Sequence, residues 1–120
     1  MTGFEQSNFN NILHEIIKKS LFTQRQIEII LNQKNLMESK FSISKGAYFR
    51  QVSQSRNKLI GLYYSIILLR GLGIILPDDI DVISRLSEQI SVINSSDVFP
   101  EREEQIIAVM DKAIRQIVSM

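Results

Sequence analysis

Helical periodicity through most of the chain, capping residues at its boundaries, and only two prolines and five glycines predict an all-α protein of about five helices. The third helix is expected to be long and central, and the last to offer a packing or dimerisation face. A length of 120 residues suits a single domain, 1–120, large enough to bury a real core. Isoleucine fills 20 positions and alanine three, which reads as AT-rich coding and carries no function.

Phe9, Ile12, Leu13, Ile16 and Ile17 fall at i, i+3, i+4, i+7 and i+8, the stripe of an amphipathic first helix. Ser7 or Asn8 is the expected cap, and Lys18 and Lys19 suit the negative end of the dipole. Thr23-Gln24-Arg25-Gln26 fits a capping box opening a second helix, with Phe22 as staple and Ile27, Ile30 and Leu31 as its stripe. Residues 32–42 are polar and irregular, with Leu36, Met37 and Phe41 expected to anchor them. A third helix starts near Ser44. Tyr48, Val52, Ser55, Leu59, Leu62, Ile66 and Leu69 alternate by four and three, a continuous seam down one side.

From Leu59 to Leu76 the chain is apolar nearly all round and close to the lower limit for a membrane span. Arg70, Gly71, Gly73, Ser65 and the Tyr63-Tyr64 pair argue for burial by neighbours or by a dimer partner instead. Gly71-Leu72-Gly73 offers two left-handed cap positions, and 74–76 reads as a linker or one short strand. Pro77, Asp78 and Asp79 open a fourth helix bearing Ile80, Ile83, Leu86 (or Ser87) and Ile90. Residues 94–97 read as a turn. Pro100 starts a fifth helix whose broad apolar face holds Ile106, Ile107, Met110, Ala113, Ile114, Ile117 and Val118.

Several chemistries are set aside by composition. There is no cysteine for a disulfide, thiolate site or nucleophile, and the single His14 leaves no imidazole pair for zinc. No nucleophile elbow, P-loop or zincin motif occurs. The acids Asp78, Asp79 and Asp81 have an adequate cause as helix-start residues. The expectation is therefore no enzyme, no cofactor and no metal. The first residues lack a signal-peptide pattern, so a cytoplasmic protein without a membrane partner is expected.

The net charge of +1 conceals a strong asymmetry. Residues 39–77 hold six bases and no acid, while residues 78–120 hold nine acids against four bases. Such a basic stretch is what a surface meeting a polyanion requires. Within it, Ser44 caps a helix start whose amides and dipole attract phosphate. Gly46 and Ala47 allow close approach. Lys45, Phe49, Arg50, Ser53, Arg56 and Asn57 share one outer side, followed by Lys58. Arginine presents a fork to guanine, asparagine or glutamine pairs with adenine, and lysine or arginine neutralises backbone phosphate.

The run Ile43-Ser44-x-Gly46-Ala47, with Val52 and then Arg56-x-Lys58-Leu59, resembles the recognition helix of the promoter-reading helix-turn-helix in sigma factors and related response-regulator output domains. Phe22-Thr23-Gln24-Arg25-Gln26-Ile27 is similar to that family's first helix. The family sets a complete supporting helix between these elements, where residues 32–42 leave room for one or two turns. The resemblance covers residues 22–59, with 78–120 as a helical extension outside it. The isoleucine-rich composition and long third helix also resemble archaeal helix-turn-helix proteins.

The resemblance implies sequence-dependent binding of double-stranded DNA in transcription, and the chain is expected to be a small homodimeric regulator whose core and dimer are built by the apolar second half of the third helix and the last helix. It implies that Lys45, Phe49, Arg50 and Ser53 face bases while Ser44, Arg56 and Lys58 hold the backbone. The alternative is a helical adaptor or accessory subunit that sets the same basic strip against an acidic protein, with Phe49 as hydrophobic anchor.

Overall fold

Side chains that accept from first-turn amides mark where several of the helices begin. The computed structural model describes residues 9–93 and 99–120, and holds α1 (Asn11–Lys19), α2 (Gln24–Gln33), α3 (Lys45–Gly71), α4 (Pro77–Ile93) and α5 (Pro100–Val118). No strand occurs among the described residues, so 74–76 is a linker. No helix among them is long and apolar enough to cross a membrane. Chain contacts divide the protein into two compact units, residues 20–75 and residues 1–19 with 76–120.

The unit of residues 20–75 is built from α2 and α3. Thr23 Oγ1 accepts from the Gln26 amide at 3.1 Å, and Gln26 Oε1 accepts from the Thr23 amide at 2.9 Å, completing the capping box. Ser44 Oγ likewise accepts from the Ala47 amide at 3.1 Å and opens α3. Every residue of the predicted seam from Tyr48 to Leu69 is buried or half-buried, with Ser55 and Ile29 of α2 fully enclosed.

Two left-handed residues stop these helices. Asn35 (φ 57°) follows α2 and Gly73 (φ 76°) follows α3. In each case the next amide reaches back five residues: Leu36 to the Leu31 carbonyl at 2.9 Å, and Ile74 to that of Leu69 at 2.8 Å. Both ends are Schellman motifs, which satisfy carbonyls that the helix itself leaves open. Between α2 and α3, residues 34–44 form turns and bends without a helix. Phe41 is held by the Tyr48 ring at 5.3 Å and by the Arg25 guanidinium at 5.6 Å, and Met37 is half-buried. Leu36 is exposed, so it is no anchor.

In the other unit, α1, α4 and α5 pack on one another. The cap of α1 is Asn10, whose Oδ1 accepts from the Leu13 amide at 2.9 Å; Ser7 and Asn8 lie outside the described residues, as does the 94–97 turn. Among the described residues Ile12 and Met110 are its enclosed apolar side chains, and Asn11 Nδ2 donates to Glu103 Oε2. The Leu76 amide donates to Asp79 Oδ2 at 2.8 Å, which gives that acid its helix-start role. Of the apolar face on α5, Ile114 and Val118 point outward. Arg115 Nε donates to Asp111 Oδ2 at 2.7 Å, and this bond holds the Asp111 carboxyl below its ordinary range. The pair's small contribution is therefore present above the unfolded carboxylate value and lost as pH falls through the depressed one.

The two helix stops differ in what a β-carbon costs. Nothing lies within 4 Å of a Cβ built on Gly73, so its positive φ alone opposes a side chain. Gly73→Ala is expected to lower stability in urea by about 1 kcal/mol, and Asn35→Gly to leave it unchanged or slightly raised. A neutral Gly73→Ala would show that the stop of α3 is not left-handed.

Candidate nucleic-acid interface

The position of α2 decides which side of α3 is available. Tyr48 Oη donates to Gln33 Oε1 at 2.7 Å and accepts from Asn32 Nδ2 at 2.8 Å, pinning the start of α3 to the end of α2. Lys58 Nζ donates to the Leu21 carbonyl at 2.7 Å and to Gln26 Oε1 at 2.9 Å, and lies 5.5 Å from the Phe22 ring centre. The two helices therefore run antiparallel, with α2 backing residues 48–58 of α3. The opposite side of that stretch faces solvent.

That side carries most of the residues singled out from the sequence. Lys45, Phe49, Arg50, Ser53, Arg56 and Asn57 are all exposed, as is the capping Ser44 at their head. At about 100° per residue they spread over less than half of the helix circumference. Lys45, Arg50 and Arg56 form no ion pair among the described residues. The first turn of α3 contains no acid. Its Lys45 and Gly46 amides project at the positive end of a 27-residue helix. A Cβ at Gly46 would meet nothing within 4 Å, so the absence of a side chain there leaves open surface rather than solving an internal clash.

Lys58 stands apart from this strip. Its ammonium is turned toward α2, so the structure gives it a positioning role in place of the backbone-phosphate role that the resemblance implies. Ser44 keeps a hydroxyl proton to donate while its oxygen accepts from Ala47. Phe49 is 51% exposed and meets the Tyr48 ring edge-on at 5.3 Å, which fixes an apolar side chain among the cations.

One cation was hidden in the sequence. Lys34, the C-cap of α2, joins Arg56 in lining a cleft of about 180 Å³ whose walls include Ile29, Ile30, Val52 and Leu59. Organic ligands usually need about 300 Å³ or more, so this is a groove flanked by two cations rather than a small-molecule pocket. Its signal was available only once the end of α2 was known to lie beside α3. Ser55 Oγ is buried there without a partner among the described residues.

Charge follows the same division. Residues 20–75 hold eight bases against two acids, whereas the remaining residues hold eleven acids against six bases. The unit bearing the strip thus has a net charge of +6 and the other −5. No cluster of three or more histidine or acidic side chains fit to hold a metal ion occurs among the described residues. No protein-family model matches the sequence, and neither the curated proteins nor the solved structures hold a significant match.

The roles of Lys58 and Arg50 separate by stability. Lys58→Met keeps the stem over Phe22 but removes two hydrogen bonds, and is expected to cost about 1–2 kcal/mol in urea denaturation. Arg50→Ala is expected to change stability by less than about 0.5 kcal/mol. Equal stabilities would put Lys58 back among the solvent-facing cations.

Proposed function

We propose that the first half of α3 binds double-stranded DNA in a sequence-dependent manner, as the reading helix of a small cytoplasmic homodimeric transcriptional regulator. The reading is carried by one observation: an exposed strip without acids, Lys45-Phe49-Arg50-Ser53-Arg56-Asn57, lies on the side of α3 that α2 leaves open. The capped helix start meets a phosphate through its amides, with Ser44 Oγ as an added donor. Arg50 and Lys45 offer donors to guanine, Asn57 pairs with adenine, and the Phe49 ring packs against a thymine methyl group. Arg56, with Lys34 beside the same groove, neutralises backbone phosphate. Two copies reading paired half-sites of one duplex would supply the affinity that one short module lacks.

The half-exposed Phe49 favours a second reading, in which the strip docks on an acidic protein and the ring is its anchor. Salt separates the two. Each phosphate contact contributes a slope of roughly −0.9 in log affinity against log salt, so loss of Arg56 should flatten the slope by about 0.9 for each copy on the duplex, while loss of Arg50 removes a base contact. Arg50→Ala/Arg56→Ala is expected to show this flattening in fluorescence anisotropy with a labelled duplex. Its affinity should fall at least about tenfold with helical circular dichroism unchanged. A folded double variant with the parent's affinity and slope would overturn the reading.

A further inference from the structure

Beyond Lys58, α3 outruns its neighbour. Ten residues of α2 span about 15 Å while twenty-seven residues of α3 span about 40 Å, so within this unit residues 59–71 extend about 20 Å past their helical partner. On the outer side of that extension Ile60, Tyr63, Tyr64, Ile67 and Leu68 are 45–70% exposed, and Leu72 follows at 66%. At roughly 100–150 Å² each, these six side chains hold on the order of 700 Å², close to the ~800 Å² per partner of a standard stable interface. No charge interrupts them. Arg70, seven residues after Tyr63, shares that residue's flank of the helix, and its Nη1 donates to the Ile75 carbonyl at 2.9 Å, toward the helix end.

These residues continue the line of the basic strip. Gly46, Arg50, Ser53, Asn57, Ile60, Tyr64, Ile67 and Gly71 alternate by four and three residues, a second heptad seam opposite the Tyr48–Leu69 seam whose first half faces α2. Its first four positions are glycine, cationic or polar; of the next four, three are apolar or aromatic and the last is Gly71. An uncharged seam of this spacing fits a second copy of itself, because a twofold pairing sets apolar against apolar with no like charges opposed. The cationic positions upstream repel their counterparts, so paired helices must splay there.

We infer that the outer side of residues 60–72 pairs in parallel with the same side of a second copy, and that the two basic halves of α3 fork from this junction across one duplex. The arrangement is that of basic regions diverging from a dimerising helix. It rests on the DNA-binding reading for its purpose, but the junction itself is tested without DNA.

The chain has no cysteine, so single substitutions report position without interference. Sedimentation of the full chain should give twice the 13.8 kDa chain mass, and Tyr64→Glu/Ile67→Glu should return it to the single mass with helical circular dichroism retained. Ile60→Cys and Ile67→Cys should each form disulfide-linked dimers under copper phenanthroline, because in a parallel pair every seam position meets its own copy. Linkage at only one of the two positions means an antiparallel pair and overturns the fork. A chain of single mass that links at neither position overturns the junction. The Arg50→Ala/Arg56→Ala variant should stay dimeric, whereas a parent chain that is dimeric yet fails to bind duplex sinks the DNA reading and leaves the junction standing.

Discussion

One oxygen atom links the local and tertiary order of residues 20–75. Gln26 Oε1 accepts the Thr23 amide that closes the start of α2 and also the Lys58 ammonium that arrives from α3. The residue is 9% exposed, so removing either donor leaves part of a buried acceptor unpaired. Capping α2 and docking it on α3 are thus coupled at one atom. With Tyr48 bridging Asn32 and Gln33 at the far end, the antiparallel pair has two polar clamps around an apolar seam. The rotation of α3 about its own axis follows from these clamps, and so does the choice of which side chains meet solvent.

That rotation gives the charge distribution its meaning. A basic stretch could equally have lined an interior groove or been paired with carboxylates. Instead, the ammonium turned inward is the one at Lys58, beside an aromatic ring and two oxygens, while Lys45, Arg50 and Arg56 face water. The division of the chain into a unit of charge +6 and one of −5 coincides with the division by packing. A field of one sign over one small unit speeds encounter with a polyanion and weakens with salt.

Much of this fold was legible because it rests on short-range rules. The capping box at Thr23, Pro100 opening α5 and the seven-residue seam from Tyr48 to Leu69 are patterns within one helix, and each stands in the structure. What escaped needed knowledge of neighbours. The cap expected at Ser7 or Asn8 is provided by Asn10, of the same chemistry and three residues before Leu13; the apolar pattern locates a helix more sharply than its first residue. Lys58 looked like a surface cation because its partners lie 32 and 37 residues away. Lys34 joins the strip only through the packing of α2 beside α3, which local pattern does not show. The outer seam of α3 was masked by its own partner: with apolar residues on both sides after Leu59, the helix shows no single preferred face, and the second alternation emerges once the first is assigned to α2.

The central claim is that the surface opposite α2, over the first half of α3, is where a duplex sits. Backbone amide shifts of the isotope-labelled full chain, followed as an unspecific duplex is added at low salt, test it most directly. The account predicts that the largest changes fall on residues 44–57, while the amides of α1, α4 and α5 stay in place. Changes centred on those three helices, or an unchanged spectrum in excess duplex, would contradict it.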